Sequence, residues 1–309
     1  MGGMRRYFAA LVLAMFGPAV FNVPAAATEP SRLRVCATIL PVFCIAANVG
    51  QGATETWYLA GGGGDAHDYQ LTPRDRSEIE RAGLLLINGL GAEPWLKKVV
   101  KAASGSVAVI DLSRGLESRL LPESFHPDGG RATGHGHGET ETNIHVWLDP
   151  GLMMHMVTNA LRAFQQRDPT NAAIYAINAA RYVERLQALD ETMAKGLEPL
   201  KGFALVTFHD AFPYFARRYG LRVCGVIEEV PDLDPTPRHL SELRQKMRAD
   251  QVRAIFVEPR HSRRLADRLS RDLGATVGLL DTLENGPSSA TAYEEGMKRN
   301  LQSLQSTFR

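Results

Sequence analysis

The sequence predicts an α/β protein of two lobes, each a mostly parallel four-stranded sheet flanked by helices, joined by one long rigid helix. Three observations carry that expectation. Short apolar runs alternate with amphipathic helical stretches, the pattern of βα units. The scheme occurs twice along the chain, and a stretch poor in helix breakers, residues 168–200, separates the two occurrences. At 309 residues with 44% hydrophobic content, the chain is long enough for one large domain or for two lobes with separate cores.

The elements follow in chain order. Residues 1–27 are set apart from the fold: Arg5 and Arg6 precede an apolar run broken at Gly17–Pro18, and Ala25-Ala26-Ala27 supply a small-residue cleavage signature. The run is too short to span a bilayer comfortably. The expectation is an exported, soluble, periplasmic protein cleaved near Ala27; with no Cys at that point, a lipid-anchored start is not expected. The N-terminal lobe is placed at 28–167, with strands at 33–39, 54–60, 84–88 and 107–112. These runs are nearly continuous rather than alternating, so they read as parallel strands covered on both faces. Between the second and third, Thr72, Pro73 and Asp75 spell a capped helix start and Gly83 a stop. Residues 126–143 form a Gly/His/acid loop. In 168–200, Ala, Leu, Glu and Arg dominate; a helix of about 25 residues there would reach nearly 40 Å, at about 1.5 Å per residue. The C-terminal lobe, 201–309, repeats the scheme at 203–208, 221–227, 253–258 and 276–280.

Composition narrows the function. A net charge of +1 and the lack of a basic stripe exclude a nucleic-acid partner. Three cysteines allow at most one internal disulfide; Cys36, in the first strand, and Cys44, in the helix after it, are the expected pair, leaving Cys224 as a buried thiol. No Cys pair has zinc-knuckle spacing, so a metal here would be held by His and carboxylates.

Four residues qualify. His145 in "NIHVWLDP" reads by itself more readily as a satisfied half-buried side chain than as a ligand. Two further histidines share its kind of setting: His67 in the Gly-rich loop after the second strand, and His209 directly after the strand at 203–208. Asp281 ends the last apolar run. Ligands of open parallel sheets bind beyond the carboxyl ends of strands. Three imidazoles and one carboxylate suit Zn²⁺, with Cu²⁺ and Ni²⁺ as rivals on affinity alone. Asp68 and Glu258 are candidates for orienting ligand imidazoles, with surface solvation and helix capping as the alternatives. His126, His135 and His137 can capture metal loosely from the loop. His155, His239 and His261 read as structural or surface residues, with the cleft rim as the alternative for His261 because of its position near Glu258.

Six stretches in order, "DAHDYQLTPRD", "INGLGAEPWL", "HVWLDP", "TFHDAFPYFARRYGL", "FVEPRHS" and "LLDTL", resemble the motifs of the metal-binding solute-binding proteins of zinc and manganese ABC transporters. The resemblance covers nearly all of the chain after residue 27. It implies two α/β lobes with the metal in the cleft between them, bound by His67, His145 and His209 and by Asp281 from the second lobe. Zinc-type members carry His where manganese-type members tend to carry Glu, and position 209 is His. The implied function is a periplasmic receptor that captures Zn²⁺ and delivers it to an ABC-transporter permease for high-affinity import. A periplasmic metallochaperone is a candidate second partner, and a monomer is expected. The alternatives are a manganese- or iron-binding member of the same family, with Mn²⁺ as competing cargo, and a zinc hydrolase. Catalytic zinc keeps three protein ligands and an open water position; four ligands are available here, and neither H-E-x-x-H nor a Ser-His-Asp pattern occurs, so an enzyme is not expected. Two features depart from the family pattern: Ala66 stands where Pro is usual, and the His-rich loop is shorter than in many zinc members.

Overall fold

The computed structural model describes residues 32–59, 69–96, 107–122, 142–228 and 234–309. The leader, the Gly-rich loop with Ala66, His67 and Asp68, and the loop with His126, His135 and His137 lie outside the described residues.

Two parallel sheets repeat one topology. The first contains β1 (Leu33–Ala37), β2 (Thr54–Tyr58), β3 (Leu84–Ile87) and β4 (Ala108–Asp111), in the order β2-β1-β3-β4. The second contains β5 (Ala204–Thr207), β6 (Arg222–Val226), β7 (Ala254–Val257) and β8 (Thr276–Leu279), in the order β6-β5-β7-β8. In each, the chain steps to one side of its first strand and then crosses to the other. Crossovers therefore diverge between β1 and β3, and again between β5 and β7, which opens a crevice at the carboxyl ends of each strand pair.

Both faces of each sheet are covered at its centre, which is why the inner strands β3, β5 and β7 read as continuous apolar runs. Leu84 and Leu86 join Val35 and Ala37 in one cluster, while Leu85 and Ile87 join Cys36 on the opposite face. In the second sheet Leu205, Ala254 and Phe256 face one way and Val206, Ile255 and Val257 the other. This is the period-two geometry of a strand buried on both sides.

The α-helices among the described residues are α1 (Leu40–Val49), α2 (Pro73–Glu80), α3 (Pro150–Arg167), α4 (Ala172–Leu197), α5 (Pro213–Tyr219), α6 (Pro237–Ala249), α7 (Arg264–Leu273) and α8 (Ala292–Thr307). A capping box starts α2: the Asp75 N–H donates to Thr72 Oγ1 at 3.2 Å, and the Thr72 N–H to Asp75 Oδ2 at 2.8 Å. Gly220 ends α5 in the left-handed conformation, at φ 72°.

The long helix expected within 168–200 is α4, 26 residues long. Its buried positions, Tyr175, Ala179, Tyr182, Leu186, Leu189, Met193 and Leu197, recur in steps of three and four and form one seam. That seam belongs to a core reaching from Val35 in the first sheet to Phe256 in the second. The two lobes therefore do not have fully separate cores: a shared core runs through the helix, and each sheet keeps a smaller outer cluster of its own.

The expected Cys36–Cys44 disulfide is not formed, and all three cysteines are free thiols. Cys36 points to the outer face of β1, whereas Cys44 faces the shared core and donates to the Ser289 carbonyl at 3.5 Å. The sheet itself separates the two sulfurs. Burial pushes the Cys44 thiol up to about 12 and Cys224 to about 11, which keeps both unreactive in the folded state. Thiol titration under denaturing, non-reducing conditions should therefore count three thiols per chain; a count of one would restore the disulfide.

Candidate metal centre

His145 is positioned by its immediate neighbours. Asp149 caps α3, its carboxylate accepting from the Gly151 N–H at 2.7 Å, and Val146–Leu148 form a single 3₁₀ turn ahead of the cap. Val146, Trp147 and Leu148 are fully buried, so the turn is anchored by its apolar side chains and His145 is held at 2% exposure. Asn143 fixes the ring: its Oδ1 accepts from the His145 N–H at 3.0 Å and from Nδ1 at 3.1 Å, while its Nδ2 donates to the Asp210 carbonyl. With the proton on Nδ1, the lone pair of Nε2 faces inward.

His209 sits two residues beyond β5, at the switch-point crevice of the second sheet. Glu258, directly after the neighbouring β7, brings its Oε1 to 2.5 Å from His209 Nδ1. A carboxylate only accepts, so this nitrogen too carries the proton and Nε2 presents a lone pair. The two Nε2 atoms are 3.3 Å apart.

The carboxylate brought to this pair is Glu284, whose Oε1 lies 3.5 Å from His145 Nε2. Ligand atoms of His145, His209 and Glu284 all lie within 4.8 Å of one another, and all three residues are buried. Asp281 stands beside the group rather than in it. Its Oδ1 accepts from the Leu283 N–H at 2.9 Å, shaping a turn in which Leu283 adopts φ 63°; that turn delivers Glu284 inward. Asn300 on α8 pins the Asp281 backbone through both its N–H and its carbonyl. Burial lifts the Asp281 carboxyl above its ordinary range, and the nearby Glu258 and Glu284 charges push the same way. The turn is also tied to the first lobe: Trp147 Nε1 donates to the Thr282 carbonyl at 2.7 Å, and the Leu40 N–H to the Glu284 carbonyl at 3.0 Å.

The other histidines among the described residues have other surroundings. His155 Nε2 donates to the Arg114 carbonyl at 2.8 Å and His239 Nε2 to the Val226 carbonyl at 2.9 Å. His261 stacks on Phe208 with ring centroids 4.1 Å apart, its Nε2 3.7 Å from Glu258 Oε2. Glu284 and Asn143 are not among the candidates legible in the sequence, although each lies three residues or fewer from Asp281 or His145.

The converging donors have a geometric meaning. Two donors held at 2.0–2.1 Å with a tetrahedral angle between them lie about 3.3–3.4 Å apart. The observed separations of 3.3 Å between nitrogens and 3.5 Å from nitrogen to oxygen fall at that spacing. Lone pairs so placed repel one another unless a cation or a proton lies between them.

Comparisons with known proteins point the same way. A family model described as the periplasmic zinc-uptake complex component A, ZnuA, matches residues 35–307. The zinc-binding lipoprotein AdcA of Streptococcus pneumoniae is 28% identical over 284 residues, 89% of this chain; the chain spans 56% of that relative's length. The high-affinity zinc uptake system protein ZnuA of Bacillus subtilis is 27% identical over 286 residues, covering 91% of this chain and 89% of that one. Among solved structures, ZnuA matches with a TM-score of 0.76 at 25% identity, over 90% of this chain and 99% of that chain. The Zn(II)-bound ZnuA-like domain of S. pneumoniae AdcA matches with a TM-score of 0.71 at 26% identity, with the same coverage.

Proposed function

The chain belongs to the family of periplasmic zinc-uptake A components, solute-binding receptors rather than enzymes, and from that premise we propose that it captures Zn²⁺ in the periplasm and hands it to an ABC-transporter permease. The convergence of two Nε2 lone pairs and the Glu284 carboxylate at tetrahedral-donor spacing carries the reading. Two neutral nitrogen donors favour zinc over manganese, which prefers carboxylate and water oxygen. In this reading His145, His209 and Glu284 hold the ion, with His67 as the fourth donor from the Gly-rich loop and Asp281 as the shaper of the Glu284 turn. Glu258 fixes the tautomer of His209. His126, His135 and His137 add only loose capture, because a Gly-rich tether supplies no rigid geometry.

Calorimetric titration of metal-stripped protein should show one tight zinc equivalent, with manganese bound far more weakly. Absence of a tight equivalent, or preference for manganese, would overturn the reading. Glu258→Gln should weaken zinc by about tenfold, the lower end of what an orienting partner contributes, because the amide oxygen still accepts but carries no charge. Affinity equal to wild type would remove Glu258 from the site's support.

A further inference from the structure

The crevice of the second sheet is occupied by the His209–Glu258 pair. The equivalent crevice of the first sheet, between the ends of β1 and β3, is filled by another carboxylate. Glu93 is 7% exposed. Its Oε1 accepts from Thr38 Oγ1 at 2.7 Å, just past β1, and from the Asn88 N–H at 2.8 Å, just past β3; its Oε2 accepts from the Gly89 N–H at 3.1 Å. The backbone curls around it through three consecutive left-handed residues: Gly89, Leu90 and Gly91, at φ 85°, 58° and 89°. A side chain at position 89 would put its Cβ 2.1 Å from Asp111 Oδ1, so the curl requires glycine there.

Both arms of this cradle lead to the metal centre. Asn88, fully buried, donates from Nδ2 to the Ile144 carbonyl at 3.1 Å and so holds the peptide that joins Ile144 to His145. Thr38 stands two residues before Leu40, whose N–H holds the Glu284 carbonyl. Building on the zinc-receptor reading above, we propose that Glu93 is a positioning residue of the metal centre: one buried carboxylate ties together the two backbone segments that set His145 and Glu284 at their donor spacing. Burial pushes its carboxyl up to about 7, against the opposing pull of its three hydrogen bonds; an apolar side chain in its place would leave two backbone N–H groups and the Thr38 hydroxyl without their acceptor.

Glu93→Gln tests this. The amide sets an N–H₂ against one of the crevice's donors, which displaces the 88–91 curl while leaving every proposed ligand in place. Zinc affinity should fall about tenfold, and the visible ligand-field bands of the Co²⁺-substituted protein should shift in position or intensity. Leu243→Ala, in the outer cluster of the second sheet, is the control: it should lower thermal stability and leave the cobalt bands and the zinc affinity untouched. Wild-type affinity and bands in Glu93→Gln would reduce Glu93 to ordinary structure, as would equal band shifts in both variants. If Glu93→Gln does not fold, Thr38→Val, which cuts a single tether, decides: a few-fold loss of zinc affinity with shifted bands is expected, and no change overturns the proposal. Failure of wild-type protein to bind zinc or cobalt would instead sink the receptor reading itself, so the two failures are distinguishable.

Discussion

His209→Ala should weaken zinc binding by more than a hundredfold. Two losses combine in this variant. The variant deletes a nitrogen donor whose Nε2 lies 3.3 Å from that of His145, and no other described side chain stands at that position. It also strips the buried Glu258 carboxylate of the N–H it accepts at 2.5 Å, which costs about 1–3 kcal/mol of stability. Removing only an orienting partner typically costs 10–100-fold in metal affinity, so removing the ligand together with its orienting bond must exceed that range. Zinc competition titration together with a thermal melt checks both losses. A folded His209→Ala protein with wild-type affinity would move the site elsewhere.

Glu284→Gln should cost zinc affinity on the order of tenfold to a hundredfold, whereas Asp281→Asn should change it only slightly. The first change keeps the shape of the side chain but removes the negative charge that offsets the ion's, so release should be faster. The second keeps an Oδ1 acceptor for the Leu283 N–H, so the turn that delivers Glu284 survives. The pair of variants separates the residue that the motif resemblance indicates from the one that the geometry gathers. A large loss in Asp281→Asn with none in Glu284→Gln would return the ligand role to Asp281.

Much of the fold was legible in the residues. The eight strands fall within the eight apolar runs; the central strands β3, β5 and β7, buried at every position, are the ones that cannot alternate. Pro150, Pro213 and Pro237 mark helix starts, where a missing N–H costs nothing. The Cys36–Cys44 expectation failed because adjacency along the chain says nothing about which sheet face a side chain takes; β1 turns Cys36 outward while α1 packs Cys44 inward. At the site, His145 and His209 were visible as polar residues placed among apolar ones at strand and helix boundaries. Glu284 was not, because its inward direction depends on a left-handed Leu283, a residue type that gives no sequence signal for that conformation. The role of Glu93 was hidden for a related reason. Its partners Thr38 and Asn88 lie 55 and 5 residues away and meet it only once the sheet has formed.

Several hydrogen bonds cross from the first sheet's side to the second's near the metal centre: Leu40 to Glu284, Trp147 to Thr282, and Asn143 to Asp210. Together with the shared core along α4, they favour local rearrangement of ligand loops over wide hinge opening on zinc release.

The central claim is that His145 and His209 converge on a zinc ion. Zinc-loaded crystals measured on either side of the zinc absorption edge test it most directly. The expected result is one strong anomalous peak per chain, about 2.0–2.1 Å from Nε2 of both His145 and His209, with a Glu284 oxygen in the same shell. A peak bound to neither imidazole, or confined to the His126–His137 loop, would contradict it.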